Sequence, residues 1–157
     1  MKRFILIFMM CVATTISGYA QSSTKVETKV NELVKKYENV KGVDCVTVKK
    51  GSGLGIVKMM LNNEFGKDFM AGVTSITIIN YTDASQSTCL ALRKEFDLFG
   101  SMLEDFNMGE NEDFKEYDYA RCYAAISGSN TISDFMIAME DSDAKMMMYM
   151  AGKIKIE

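Results

Sequence analysis

The stretch 119–157, YARCYAAISGSNTISDFMIAMEDSDAKMMMYMAGKIKIE, decides how this chain folds. Its opening alternates. In an extended chain Ala120, Cys122, Ala124 and Ile126 fall on one side and Tyr119, Arg121 and Tyr123 on the other, because successive side chains of a strand point to opposite faces. Two more apolar runs follow, so the stretch predicts strands over 119–127, 132–139 and 145–156. Gly128-Ser-Asn130 and Glu140-Asp-Ser-Asp143 separate them, and both have turn composition. Connections this short join antiparallel neighbours, which makes the expected unit a three-stranded meander. Its last strand carries Met146-Met-Met-Tyr-Met150, with Met146, Met148 and Met150 on one face and Met147 and Tyr149 on the other. That composition suits adaptable filler in a strand buried on both sides.

Upstream of the meander, helical and extended patterns alternate. Val26, Val30, Leu33, Val34 and Tyr37 recur at helical spacing behind the capping candidates Ser23 and Thr24, predicting a helix over about 24–38. Gly42 ends it, and the β-branched run 43–49 reads as a strand. The turn Gly51-Ser-Gly-Leu-Gly55 leads to Ile56, Val57, Met59, Met60 and Leu61, a short buried helix, while 62–72 has no decisive pattern. Residues 73–81, with Ile76, Ile78 and Ile79, form a further strand. Asp83 or Ser85 caps a third helix whose apolar positions are Cys89, Leu92, Phe96 and Phe99, with Gly100 as its stop. Residues 104–118 carry seven acids against Lys115 and read as a solvated connection. The order implies an α+β domain of two layers: a mixed five-stranded sheet with the meander at its C-terminal end and helices mainly on one face. Right-handed crossovers would place the second and third helices on the same side.

The first twenty residues carry a different signal. Lys2 and Arg3, the apolar run 4–12 and the small residues Gly18 and Ala20 have the layout of a secretory leader, with cleavage expected after Ala20 and a single domain over 21–157. The run is too short to span a bilayer, and no later segment is long enough, so no membrane span is expected. The net charge of −3 falls near −5 once Lys2 and Arg3 leave with the leader. A chain of that sign lacks the basic footprint of a nucleic-acid binder. The sequence has no histidine, which removes the commonest general base, triad member and zinc ligand. Cys45, Cys89 and Cys122 follow the leader. An odd number allows at most one internal disulfide, for which Cys45 with Cys122 is the candidate because both fall in expected strands; otherwise the three are small buried hydrophobes.

Each candidate constellation has a plainer reading beside it. Gly51, Gly53 and Gly55 stand where a phosphate loop would, but the third glycine of a dinucleotide fingerprint would fall at Ile56 and no P-loop lysine is present, so the segment reads as a turn. The acids 104–118 and Glu140, Asp141 and Asp143 could offer oxygens to calcium, yet they lack EF-hand spacing. Thioethers at Met146, Met148 and Met150 favour Cu(I), but neighbours on one face of a strand stand roughly 6.5–7 Å apart. Ser22 with Lys25 and Ser142 with Lys145 fit S-x-x-K without a rigid pocket. No catalytic residue, cofactor or metal ligand is therefore assigned. The candidate partner surface is Tyr119, Arg121 and Tyr123: if the helices cover the opposite set, these two phenols and a guanidinium stand on an open sheet face.

The segments 36–48 (KYENVKGVDCVTV), the Met-rich helix after it, 134–141 (DFMIAMED) and 150–154 (MAGKI) together resemble a family of small exported proteins of Gram-negative anaerobes catalogued as a domain of unknown function. The resemblance runs over nearly the whole chain after the leader and implies a periplasmic or outer-envelope location. The expected role is a non-enzymatic binding or interaction module for an envelope protein or apolar ligand. A metal-binding or metal-stress role through the methionine strand or acidic turns is the alternative, and a histidine-free hydrolase with paired carboxylates is a third.

Overall fold

Strands of ten and eleven residues dominate the C-terminal third, as the alternation over 119–157 predicts. The structure, a computed structural model, describes residues 25–51, 53–65, 70–105, 117–128 and 130–155. The expected leader over 1–20 and the acidic residues 106–116 lie outside these. The described elements are α1 (Lys25–Tyr37), β1 (Asp44–Lys49), α2 (Leu54–Phe65), β2 (Val73–Asn80), α3 (Gln86–Asp97), a 3-10 turn (Leu98–Ser101), β3 (Glu104–Asp105), β4 (Tyr119–Gly128), β5 (Thr131–Glu140) and β6 (Lys145–Lys155). The molecule is α+β.

The strands form one six-stranded sheet in the order β1-β2-β6-β5-β4-β3, and every neighbouring pair is antiparallel. The meander β4-β5-β6 is present as expected. The mixed, five-stranded sheet is not: β1 and β2 are antiparallel neighbours, so the connection through α2 brings the chain back to the end of the sheet it left. The sixth strand is a two-residue addition that pairs Glu104 with Ala124 and Asp105 with Tyr123. Two residues carry no readable alternation, and alternation marks a strand without stating its direction.

The sheet divides the core in two. On one face Leu54 and Val57 of α2 pack in a cluster with Val48, Ile76, Ile78, Cys122, Phe135, Ile137, Met146, Met148 and Met150. On the other, Val30 and Leu33 of α1 and Leu92 and Phe96 of α3 pack with Ile79, Tyr123, Met136, Met147 and Tyr149. The second and third helices therefore lie on opposite faces, not the same one. The handedness rule constrains crossovers between parallel strands, and β1 and β2 are not parallel. Met146 through Met150 are buried on both faces, each such side chain contributing about 1.5–3 kcal/mol of burial.

Local signals set the helix limits. Ser85 is the N-cap of α3, its side chain accepting from the Thr88 N–H at 3.3 Å. The helix ends at Asp97, before the 3-10 turn that holds Gly100, so the chain tightens three residues ahead of the expected stop. Gly42 (φ 80°) lies between α1 and β1, where a Cβ would fall 2.2 Å from the Asp83 carbonyl oxygen. That position needs glycine for both its left-handed backbone and its closeness to another chain segment.

Cys45, Cys89 and Cys122 are free thiols. The proposed pairing of Cys45 with Cys122 fails on topology: they sit on β1 and β4, with β2, β6 and β5 between them. At roughly 4.8 Å per strand step they are far beyond the reach of a disulfide. Among the described residues, no helix is long and apolar enough to cross a membrane.

Candidate functional site

Tyr119, the first residue of β4, faces Glu140, the last of β5, in the antiparallel register. Glu140 is 1% exposed, and a carboxylate taken that far from water requires strong partners. Arg93 of α3 supplies them as a fork, with Nε donating to Oε1 at 2.6 Å and Nη2 to Oε2 at 2.5 Å. The fully buried Tyr81 hydroxyl donates to Oε1 at 2.9 Å. A bidentate charge-assisted pair is the strongest hydrogen-bonding arrangement available to a carboxylate.

The same guanidinium lies over Tyr119, 4.9 Å from its ring centroid. One helical turn on, Asp97 accepts a 3.0 Å hydrogen bond from the Tyr119 hydroxyl. Arg93 and Asp97 are four apart on α3, so they share one helix face and hold a single ring at its face and its edge. Burial is the main cause that pushes the Tyr81 hydroxyl far up, with the negative charge of Glu140 adding to it. Burial followed by the Asp97 hydrogen bond pushes Tyr119 up, and the hydrogen bond to Glu140 pushes Arg93 up. At neutral pH both phenols keep their protons and the guanidinium keeps its charge.

The three expected surface residues part company. Tyr119 is half-buried in this network. Arg121 is exposed, with its Nη1 3.7 Å from Asp105 Oδ2 on β3; both side chains are more than half exposed, so the pair contributes little. Tyr123 is 6% exposed, its ring 5.3 Å from that of Phe96. The sheet face that would stand open if the helices took the opposite set lies beneath α3 and the 3-10 turn at Tyr123. The alternation holds as far as Ala124, with α2 protecting Cys122 and Ala124 and α3 protecting Tyr123, but Ile126, past a register shift, is 51% exposed.

Arg93, Asp97, Glu140 and Tyr81 were not singled out from the sequence. The one local clue was the i, i+4 spacing of Arg93 and Asp97. Asp134 was also missed: it is 4% exposed and accepts from the Tyr149 hydroxyl at 2.5 Å and from Ser133 Oγ at 3.2 Å.

The metal candidates have other occupations. Asp141 Oδ1 accepts from the Asp143 and Ala144 N–H groups, both at 2.7 Å, which closes the β5–β6 hairpin. With Glu140 held by Arg93, two acids of that turn are engaged in the protein's own structure. Met146, Met148 and Met150 are core on the α2 face, and Met147 is core on the other. Among the described residues, no three Cys, Asp or Glu side chains are grouped so as to hold a metal ion. Ser142 is exposed at the hairpin, where its hydroxyl donates to Asp143 Oδ1 at 2.9 Å. Gly51 and Gly53 have φ of 93° and 88° and form a left-handed turn between β1 and α2.

No protein-family model matches the chain, and neither a curated protein nor a solved structure shows significant similarity to it.

Proposed function

We propose that this chain is a non-enzymatic interaction module of the cell envelope, exported by its basic and apolar leader, and that it presents Tyr119 and Arg121 of β4 to a protein partner. The observation that carries the reading is the hold on Tyr119, whose ring is half-buried, fixed at its face by Arg93 and at its hydroxyl by Asp97. An aromatic side chain already immobilised loses little further entropy when a partner covers it. Arg121 stands exposed two residues along the strand, and Tyr and Arg are the residue types most often found to anchor interfaces. Tyr123 takes a supporting role from below, packed on Phe96. The resemblance of 36–48 and 134–154 to small exported proteins agrees with the envelope location.

The test is affinity capture from envelope extract with the wild-type chain, Tyr119→Ala and Arg121→Ala as baits. The expected result is one or more proteins retained by the wild type and lost from both variants. Identical capture by all three baits would end the reading.

A further inference from the structure

The two edges of the sheet are built differently. The β3 edge is two residues long and both are acids, a common way to blunt an edge against further pairing. The β1 edge is longer and carries charge only at its two ends, Asp44 and Lys49. Its six residues pair with β2 without a register break, the chain holds no proline, and Val46, Thr47 and Val48 at its centre are all β-branched. Among the described residues no strand lies outside it. Lys50 N–H donates to the Thr74 carbonyl oxygen at 3.1 Å, which continues the β2 ladder. By the alternation of an antiparallel pair, residues 44, 46, 48 and 50 then exchange hydrogen bonds with β2. Cys45 and Thr47 aim their N–H and C=O groups away from the sheet. The 3.0 Å contact between the Thr47 and Thr77 hydroxyls agrees, since side chains approach most closely in the non-hydrogen-bonded pairs.

We propose that the occupant of this edge is the β1 strand of a second copy of the chain, paired antiparallel about a two-fold axis at Thr47. Two Thr47 residues then exchange N–H···O bonds at the axis. Charge complementarity selects this register. Asp44 and Lys50, both exposed, fall opposite Lys50 and Asp44 of the other copy at the two ends of the ladder. Val46 and Val48 meet Val48 and Val46 on the face that α2 covers, extending a core to which Val48 belongs and against which half-buried Val46 packs. An antiparallel register centred on Val46 would set Asp44 against a valine. Such an isologous contact continues the sheet through both molecules, six strands from each. The surface is distinct from the Tyr119–Arg121 rim, which lies at the opposite edge, so either can fail without the other.

Sedimentation velocity on the purified chain over about 1–100 µM is the test, a range suited to an interface at the small end of the size scale. A reversible monomer–dimer equilibrium is expected. Lys50→Asp should weaken it at least about tenfold, the factor that corresponds to about 1.4 kcal/mol. The exchange Asp44→Lys with Lys50→Asp should restore it. Thr47→Pro removes an N–H that β2 does not use and should give a monomer with unchanged circular dichroism; if that variant unfolds, the charge exchange decides alone. A wild-type chain that stays monomeric at the top of the range overturns the proposal, as does a dimer indifferent to Lys50→Asp or not restored by the exchange.

Discussion

Glu140 shows how much one residue can depend on a distant one. Its neighbours Asp141, Ser142 and Asp143 make it read as part of a solvated turn, yet it is 1% exposed and satisfied by Arg93, 47 positions away. Nothing within its own segment announces that partner. Because the carboxylate is buried and Arg93 supplies two of its hydrogen bonds, Arg93→Ala leaves a buried charge without its counter-ion. That should lower the unfolding free energy by about 3 kcal/mol. Replacing both partners, Arg93→Met with Glu140→Leu, should cost clearly less, since no charge is stranded. Urea denaturation of the two variants checks this, and an Arg93→Ala loss under about 1 kcal/mol would contradict the stated role of the pair.

Elements were legible where their pattern is contained within themselves. The stripes Val26, Val30, Leu33 and Tyr37 of α1 and Cys89, Leu92 and Phe96 of α3 are the buried positions of those helices. Strands β2, β4, β5 and β6 fall where alternation and turn residues place them. Strand β3 and the antiparallel return through α2 were illegible, the first for want of length and the second because direction depends on where a segment docks. Glycines make the same distinction testable. Gly152 in β6 has φ 126°, and a Cβ there would fall 2.2 Å from the Gly72 carbonyl oxygen, beside the register shift between Val73 and Ser75. Gly152→Ala should therefore cost at least about 2 kcal/mol. Gly55, in the first turn of α2, has nothing within 4 Å of a built Cβ, so Gly55→Ala should be neutral or stabilise by up to about 1 kcal/mol. Thermal denaturation of the two variants side by side separates these outcomes, and a Gly152→Ala protein as stable as wild type would count against the close approach.

At the scale of the molecule, a chain without histidine has no side chain whose ordinary pKa lies near neutrality. Its stability should stay level between about pH 6 and 8. Above that, burial raises Cys45 to about 11 and Cys122 to about 12, from the ordinary 9.0, and raises Tyr81 further still. The folded state holds these protons more tightly than the unfolded one. The associated stability is complete below the unfolded thiol value and is lost as pH rises from about 9 through the folded values. The urea midpoint of the reduced protein should be lower at about pH 10.5 than at pH 7, and Cys122→Ala should shrink the difference. A midpoint that holds or rises at the higher pH would refute this.

By itself the sequence determined the kind of each long element, the both-sided burial of the methionine strand and the absence of imidazole chemistry, because these depend on side-chain type and on periods of two to four residues. The tertiary structure alone decided that β1 and β2 join the meander as antiparallel strands, that α2 and α3 take opposite faces, that Tyr123 is covered while Arg121 is not, and that Tyr81, Arg93, Asp97, Tyr119 and Glu140 form one network. Each of these is a relation between segments distant along the chain. Such relations are set by docking, where the burial of every apolar face and the satisfaction of every buried charge must be met at once.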